Sequence, residues 1–206
     1  MRRTVLILAG LLMVLLAFGY ARRRWLGPFD PDRIAASETR MWQAYYRRDA
    51  QSLGREMVTL LRKQFGLSLA DSIEVGKDLA GAAMAFQDSS RNSDQVLPGL
   101  ERAYARLKKV SGGTWDAAEA ARAELDWWTA RRTPGRDSAE EVGRAIVQLY
   151  AILYGKTNAH IERAGLLRAQ AAELRDRGGE RADWAEVERL LRESYRALCR
   201  GIQSGR

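Results

Sequence analysis

Apolar residues recur at helical spacing along most of the chain, and no segment alternates apolar and polar residues as a strand would. After residue 28 the pattern divides into eight segments separated by short polar or glycine-containing links. Short links favour antiparallel neighbours. We therefore expect an all-α domain, built as an irregular bundle or as stacked helical hairpins. The predicted helices cover about 31–48, 50–65, 68–87, 96–110, 115–132, 137–154, 158–177 and the chain from 183.

Capping residues sharpen some of these boundaries. Asp30 precedes a proline that takes the first helical position, where its missing amide proton costs nothing. Asp137 and Glu140 have the spacing of a capping box and predict the start of the sixth helix. The polar stretch 88–95 predicts a loop between the third and fourth helices.

Residues 4–21 differ from the rest of the chain because they form an uncharged apolar run between two arginine clusters. At about 1.5 Å per residue the run spans roughly 27 Å, near the thickness of a bilayer's hydrocarbon core. We predict a retained membrane anchor over residues 1–27 and one helical domain over residues 28–206. The alternative is a cleaved signal peptide, because residues 19–21 resemble a cleavage site. The arginines that follow resist translocation and favour the anchor.

The charge balance argues against a nucleic-acid-binding protein. The chain has 34 basic and 26 acidic residues, a net charge of +8. Five arginines flank the apolar run and no acid precedes Asp30, which leaves 29 basic residues in the domain, about +3. Nucleic-acid binding asks for a concentrated basic face. The arginines beside the run instead bear on topology: their count favours a cytoplasmic domain by a small margin, although a short amino terminus usually stays inside.

Three predicted helices carry acidic, basic and aromatic residues on one face, where an ordinary core would be aliphatic. We expect the acids of the first and fifth helices to meet the arginines of the seventh, with indole rings stacked on guanidinium groups. The candidate ligand-binding residues are Glu38, Trp42, Tyr46, Glu124, Trp128, Arg131, Arg168 and Arg175.

These residues admit two interpretations. The favoured one is a buried network that specifies which helices pair, because charge networks of this kind are often structural. The protein would then be a membrane-anchored binding or scaffold protein that recruits a protein partner. The alternative is a small-ligand-binding or catalytic domain, in which Arg168 and Arg175 grip an anion and Trp128 and Glu124 line a pocket. Tyr150, Tyr154 and Gly155 are further candidates for its lining. The oligomeric state stays open.

The sequence offers no support for a metal centre, a cofactor or a known catalytic motif. The chain has a single histidine, His160, whereas a di-iron bundle requires a histidine on each of two helices. There is no Gly-x-Ser-x-Gly elbow and no phosphate-binding loop. We therefore name no catalytic residue, metal or cofactor, and we predict a binding protein rather than an enzyme.

The charged and aromatic stretches also carry a resemblance. The motifs are Glu38-x-x-x-Trp42-x-x-Tyr45-Tyr46, Glu124-Leu125-x-Trp127-Trp128 and Arg168-Ala169-x-Ala171-Ala172-x-x-Arg175-Asp176. With the apolar run before them, they resemble a group of uncharacterised bacterial proteins that have an N-terminal membrane helix. The resemblance covers most of the chain and implies a single-pass protein of the bacterial inner membrane. It implies no activity.

Overall fold

The computed structural model describes residues 29–88 and 93–204, and within these residues the regular structure is entirely helical. This confirms the predicted all-α class. A short 3-10 turn, Gly179–Arg181, precedes the last helix. The eight helices are α1 (Pro31–Tyr46), α2 (Ala50–Phe65), α3 (Leu69–Asp88), α4 (Ser93–Ser111), α5 (Ala117–Ala130), α6 (Ala139–Tyr154), α7 (Ala159–Gly178) and α8 (Trp184–Gln203).

The predicted membrane segment, residues 4–21, and the boundary at residue 27 lie outside the described residues. Within residues 29–88 and 93–204, none of the helices combines the length and the apolar character that crossing a membrane requires. The anchor therefore stays a prediction.

The eight helices close into a ring. Each helix packs mainly on its neighbours in the chain, and α8 returns to pack on α1. These two helices run antiparallel, since Phe29 stacks near Tyr195 at one end and Tyr46 near Trp184 at the other. Short links between consecutive helices make the remaining pairs antiparallel as well. Consecutive helical hairpins thus pack side by side around a common interior, and the last hairpin packs against the first.

Two predicted boundaries were wrong. The N-cap of α6 is Ser138, whose side chain accepts the amide proton of Glu141. Asp137 instead accepts from the amide of Gly135 in the preceding turn. The loop predicted over 88–95 is too long, because α3 ends at residue 88 and α4 begins at residue 93. Serine and aspartate are favoured at helix starts, so a polar stretch does not exclude a first helical turn.

Two glycines bring α6 and α7 into close contact. A Cβ on Gly165 would lie 2.7 Å from the carbonyl oxygen of Gly143, and a Cβ on Gly143 would lie 3.1 Å from Cα of Leu166. Only residues without side chains allow two helix backbones to approach this closely. The contact holds α7 against the ring and positions the arginines that α7 contributes to the interior.

Candidate functional site

The interior of the ring holds a partly enclosed cavity of about 140 Å³, to which every helix contributes. This is well above the minimum that a single water molecule needs, so the cavity has room for a small ligand. One wall, from α2 and α3, is apolar, and a second wall, from α1, α5 and α7, carries the charged and aromatic side chains; the two walls meet where Phe86 packs against Trp128. The apolar wall includes Leu53, Met57, Leu60, Leu61, Phe65, Val75, Leu79 and Phe86, and the polar wall includes Glu38, Trp42, Glu124, Trp127, Trp128, Arg131, Arg168 and Arg175.

The first polar cluster of this wall is centred on Glu38, which has no exposed surface. Arg168 donates from Nε and Nη2 to Oε1 of Glu38, at 3.1 and 2.6 Å. The Tyr195 hydroxyl donates to Oε2 at 2.6 Å. Burial opposes the charge of Arg168, but the Glu38 carboxylate outweighs burial and raises the Arg168 pKa well above its usual value. One carboxylate and one guanidinium thus neutralise each other, and we call this set the Glu38 cluster.

The second cluster is centred on Asp176, which lies behind the cavity wall. Arg175 donates from Nε and Nη2 to its two oxygens, at 3.0 and 3.2 Å, and Arg131 donates to Oδ2 at 2.9 Å. The Tyr46 hydroxyl donates to Oδ1. Burial opposes ionisation of Asp176, but the two guanidinium groups outweigh burial and lower its pKa to about 2. Two cations share one anion in this set, which we call the Asp176 cluster.

Aromatic rings complete the Asp176 cluster. The guanidinium carbon of Arg175 lies 3.9 Å from the centre of the Trp42 ring, and that of Arg131 lies 5.8 Å from the Phe86 ring. A cation over an aromatic face is attracted by the ring's negative potential. The predicted stacking of indoles on guanidinium groups is therefore present on the polar wall.

Glu124 has a different partner from the one expected. It accepts a hydrogen bond from the Tyr104 hydroxyl at 2.9 Å and forms no ion pair with Arg175. Burial, followed by the Glu124 charge, raises the pKa of Tyr104 well above its usual value. The acid of the fifth helix is thus held by a phenol of α4. Of the two arginines expected to meet the acids, Arg175 belongs to the Asp176 cluster, whereas Arg168 is close enough for the Glu124 charge to add to the effect of Glu38 on its pKa.

Some buried polar atoms of the polar wall lack a hydrogen-bond partner. They are the indole Nε1 of Trp127, the Nε of Arg131 and the hydroxyl of Tyr150, and all three residues line the cavity. Tyr150 lies beside Arg168 without a well-formed hydrogen bond. Each of these groups has a proton to donate. Buried polar groups normally have partners, and either water or a ligand in the cavity can supply acceptors for these donors.

The structure brings the candidate residues together, with one exception. Seven of the eight line the cavity, whereas Tyr46 reaches it only through Asp176. Sequence reasoning missed the roles of Tyr104 and Tyr195, which lie on apolar stripes of α4 and α8. A tyrosine in such a stripe is itself a signal, because a buried phenol usually finds an acceptor.

No protein-family model matches the chain, and neither the curated proteins nor the solved structures contain a significant match. The fold of residues 29–88 and 93–204 is a closed ring of eight helices around an interior cavity that has an apolar and a polar wall.

Proposed function

We propose that this protein binds a small molecule inside the helical ring. The observation that carries the proposal is the cavity itself, in which an apolar wall adjoins a wall of arginines and indoles. Ligand sites combine largely apolar surroundings with a few placed polar groups. The donors of Trp127, Arg131 and Tyr150 that lack partners support a ligand with acceptor atoms.

Binding fits the side chains better than turnover does. Glu38 is held by Arg168 and Tyr195, so its oxygens are engaged. Asp176 has a pKa of about 2, which makes it a poor base near neutral pH. Neither carboxylate is poised for proton transfer, and we propose no reaction.

The proposal includes attachment to a membrane. The apolar run at residues 4–21 and its flanking arginines support a single-pass anchor, with the binding domain close to the bilayer. Attachment would favour ligands that partition into or out of lipid.

The test is extraction of the full-length protein, purified from its own membranes, followed by mass spectrometry of the released small molecules. We expect one compound at near-stoichiometric amounts. Ala83→Met, which fills the cavity wall, should deplete it, whereas Ala80→Met on the same helix, away from the lining, should retain it. An empty extract from the wild-type protein in repeated preparations would contradict the proposal.

The second candidate function is recruitment of a protein partner, which the sequence analysis placed first. Leu69 and Ile73, one turn apart at the start of α3, are 54% and 37% exposed. Exposed apolar pairs mark contact sites when a partner covers them. This candidate predicts a stoichiometric protein in the same purification and its loss in Leu69→Ser, with the small-molecule content unchanged.

A further inference from the structure

We propose that the ligand is an apolar carboxylic acid, bound as a monoanion with its carboxylate against Arg131. This inference rests on the proposed binding function and names its ligand class. It follows from an excess of positive charge and an excess of donors at one end of the cavity.

The charge excess arises in the Asp176 cluster. Arg131 and Arg175 both pair with Asp176, and among the described residues no second carboxylate lies within ion-pair distance of either guanidinium. The Arg131 side chain is only 10% exposed, so water screens the surplus poorly. A buried charge without a counter-charge is costly. Glu124, the third carboxylate of the wall, is held by Tyr104 and its charge acts on Arg168. The surplus positive charge is therefore confined to the Asp176 cluster, which a ligand with one negative charge would balance.

Two donors lie on the same helix face at this end of the cavity. Arg131 is the C-cap residue of α5 and lies four residues after Trp127, so the two side chains project from one face, about one turn apart. The buried Nε of Arg131 and the buried Nε1 of Trp127 both lack a hydrogen-bond partner, and both residues line the cavity. A carboxylate has two oxygens that accept, whereas an ammonium group only donates. The site therefore selects an anion over a cation.

The Glu38 cluster does not compete for this head group. Arg168 already gives two hydrogen bonds to Glu38, and the pair is neutral. The rest of the ligand can lie along the apolar wall, which begins at Phe86, beside the Arg131 guanidinium, and includes Leu53 and Met57. An apolar body of modest size fits the volume of the cavity.

The test is calorimetric titration of the full-length protein in nanodiscs of uncharged lipid. The probes are 1-naphthoate, 1-naphthylmethanol and 1-naphthylmethylamine, which share a body and differ in head group. We expect naphthoate to bind at least about tenfold more tightly than the alcohol, and the amine not to bind. Arg131→Gln should weaken naphthoate about ten- to a hundredfold and leave the alcohol unchanged.

The control is Arg136→Gln, since Arg136 is an exposed arginine that pairs with Asp126 outside the cavity; it should bind naphthoate like the wild type. Trp127→Phe keeps an aromatic ring but removes the indole N–H, so it should also weaken the binding of naphthoate and leave the binding of the alcohol unchanged. This variant tests the inference if Arg131→Gln does not fold. Equal binding of acid and alcohol, or preference for the amine, overturns this inference while the proposed function stands. No binding of any probe, with an empty organic extract, overturns both.

Discussion

The Glu38 cluster and the Asp176 cluster use the same chemical groups to different ends. In the first, one arginine and one tyrosine satisfy both oxygens of a fully buried glutamate. In the second, two arginines converge on one aspartate, and the Nε of Arg131 is left without a partner. In the Glu38 cluster the charges balance and the carboxylate oxygens have hydrogen-bond donors, so we call it the closed cluster. In the Asp176 cluster the positive charges outnumber the negative one and a donor has no acceptor, so we call it the open cluster.

We propose that this difference separates polar side chains that hold the fold from polar side chains that bind the ligand. A closed network fixes the register of the helices that it joins, here α1, α7 and α8, because any slip would leave a buried charge alone. An open network such as the Asp176 cluster also depends on the register of its helices. In addition, its unpaired N–H groups require a hydrogen-bond acceptor that the protein does not supply. Under the proposed function, the two interpretations suggested by the sequence apply to different parts of the polar wall.

The largest loss of stability is expected from a substitution that breaks the closed Glu38 cluster. Glu38→Gln leaves the buried Arg168 without its carboxylate and should lower the free energy of unfolding by about 3 to 5 kcal/mol. Denaturant titration of the full-length protein, followed by circular dichroism, measures this loss. The control is Asp32→Asn, which removes an exposed partner of Arg196 and should change stability little. A loss as small as that of the control would mean that the Glu38 cluster does not fix the fold.

A second substitution removes a hydrogen bond from the same cluster without removing charge. Tyr195→Phe deprives Glu38 of its second donor and should cost about 1.5 to 3 kcal/mol, the usual range for a bond to a charged group. The same denaturant titration applies. An unchanged midpoint would show that Oε2 of Glu38 is satisfied in another way.

Acid should weaken the open cluster at a defined pH. The Asp176 pKa is lowered from 3.8 to about 2, so this carboxylate stabilises the fold above about pH 4, and that contribution is lost as the pH falls through 2. The difference amounts to about 2 kcal/mol. Thermal unfolding of wild type and Asp176→Asn between pH 5 and about 2 should show curves that converge toward low pH. A constant separation between the two curves would contradict the assignment.

The smallest change in stability is expected from removing the Tyr150 hydroxyl, because it has no well-formed hydrogen bond to lose. Tyr150→Phe removes a buried hydroxyl that makes no well-formed hydrogen bond and should change stability by no more than about 0.5 kcal/mol. Ligand content should respond instead, and mass spectrometry of the purified variant measures it. A large destabilisation would place Tyr150 with the closed cluster.

The sequence predicted the local features well and the assembled site only in part. Periodicity located all eight helices of the described residues because each helix turns an apolar stripe to the interior. Ring closure was not predictable in the same way, since it depends on contacts between α1 and α8, far apart in the chain. The pairing of Glu38 with Arg168 was expected from polarity on buried faces. The roles of Tyr195 and Asp176 depend on how three helices meet, which no single segment encodes.

The most direct test of this contrast is an experimental density map of the full-length protein with 1-naphthoate bound. The account predicts the carboxylate within hydrogen-bond distance of Arg131 Nε at the Asp176 cluster, with the naphthalene ring toward Phe86 and the Glu38–Arg168 pair unchanged. A carboxylate bound to Arg168 in place of Glu38, or a cavity that contains only water, would contradict it.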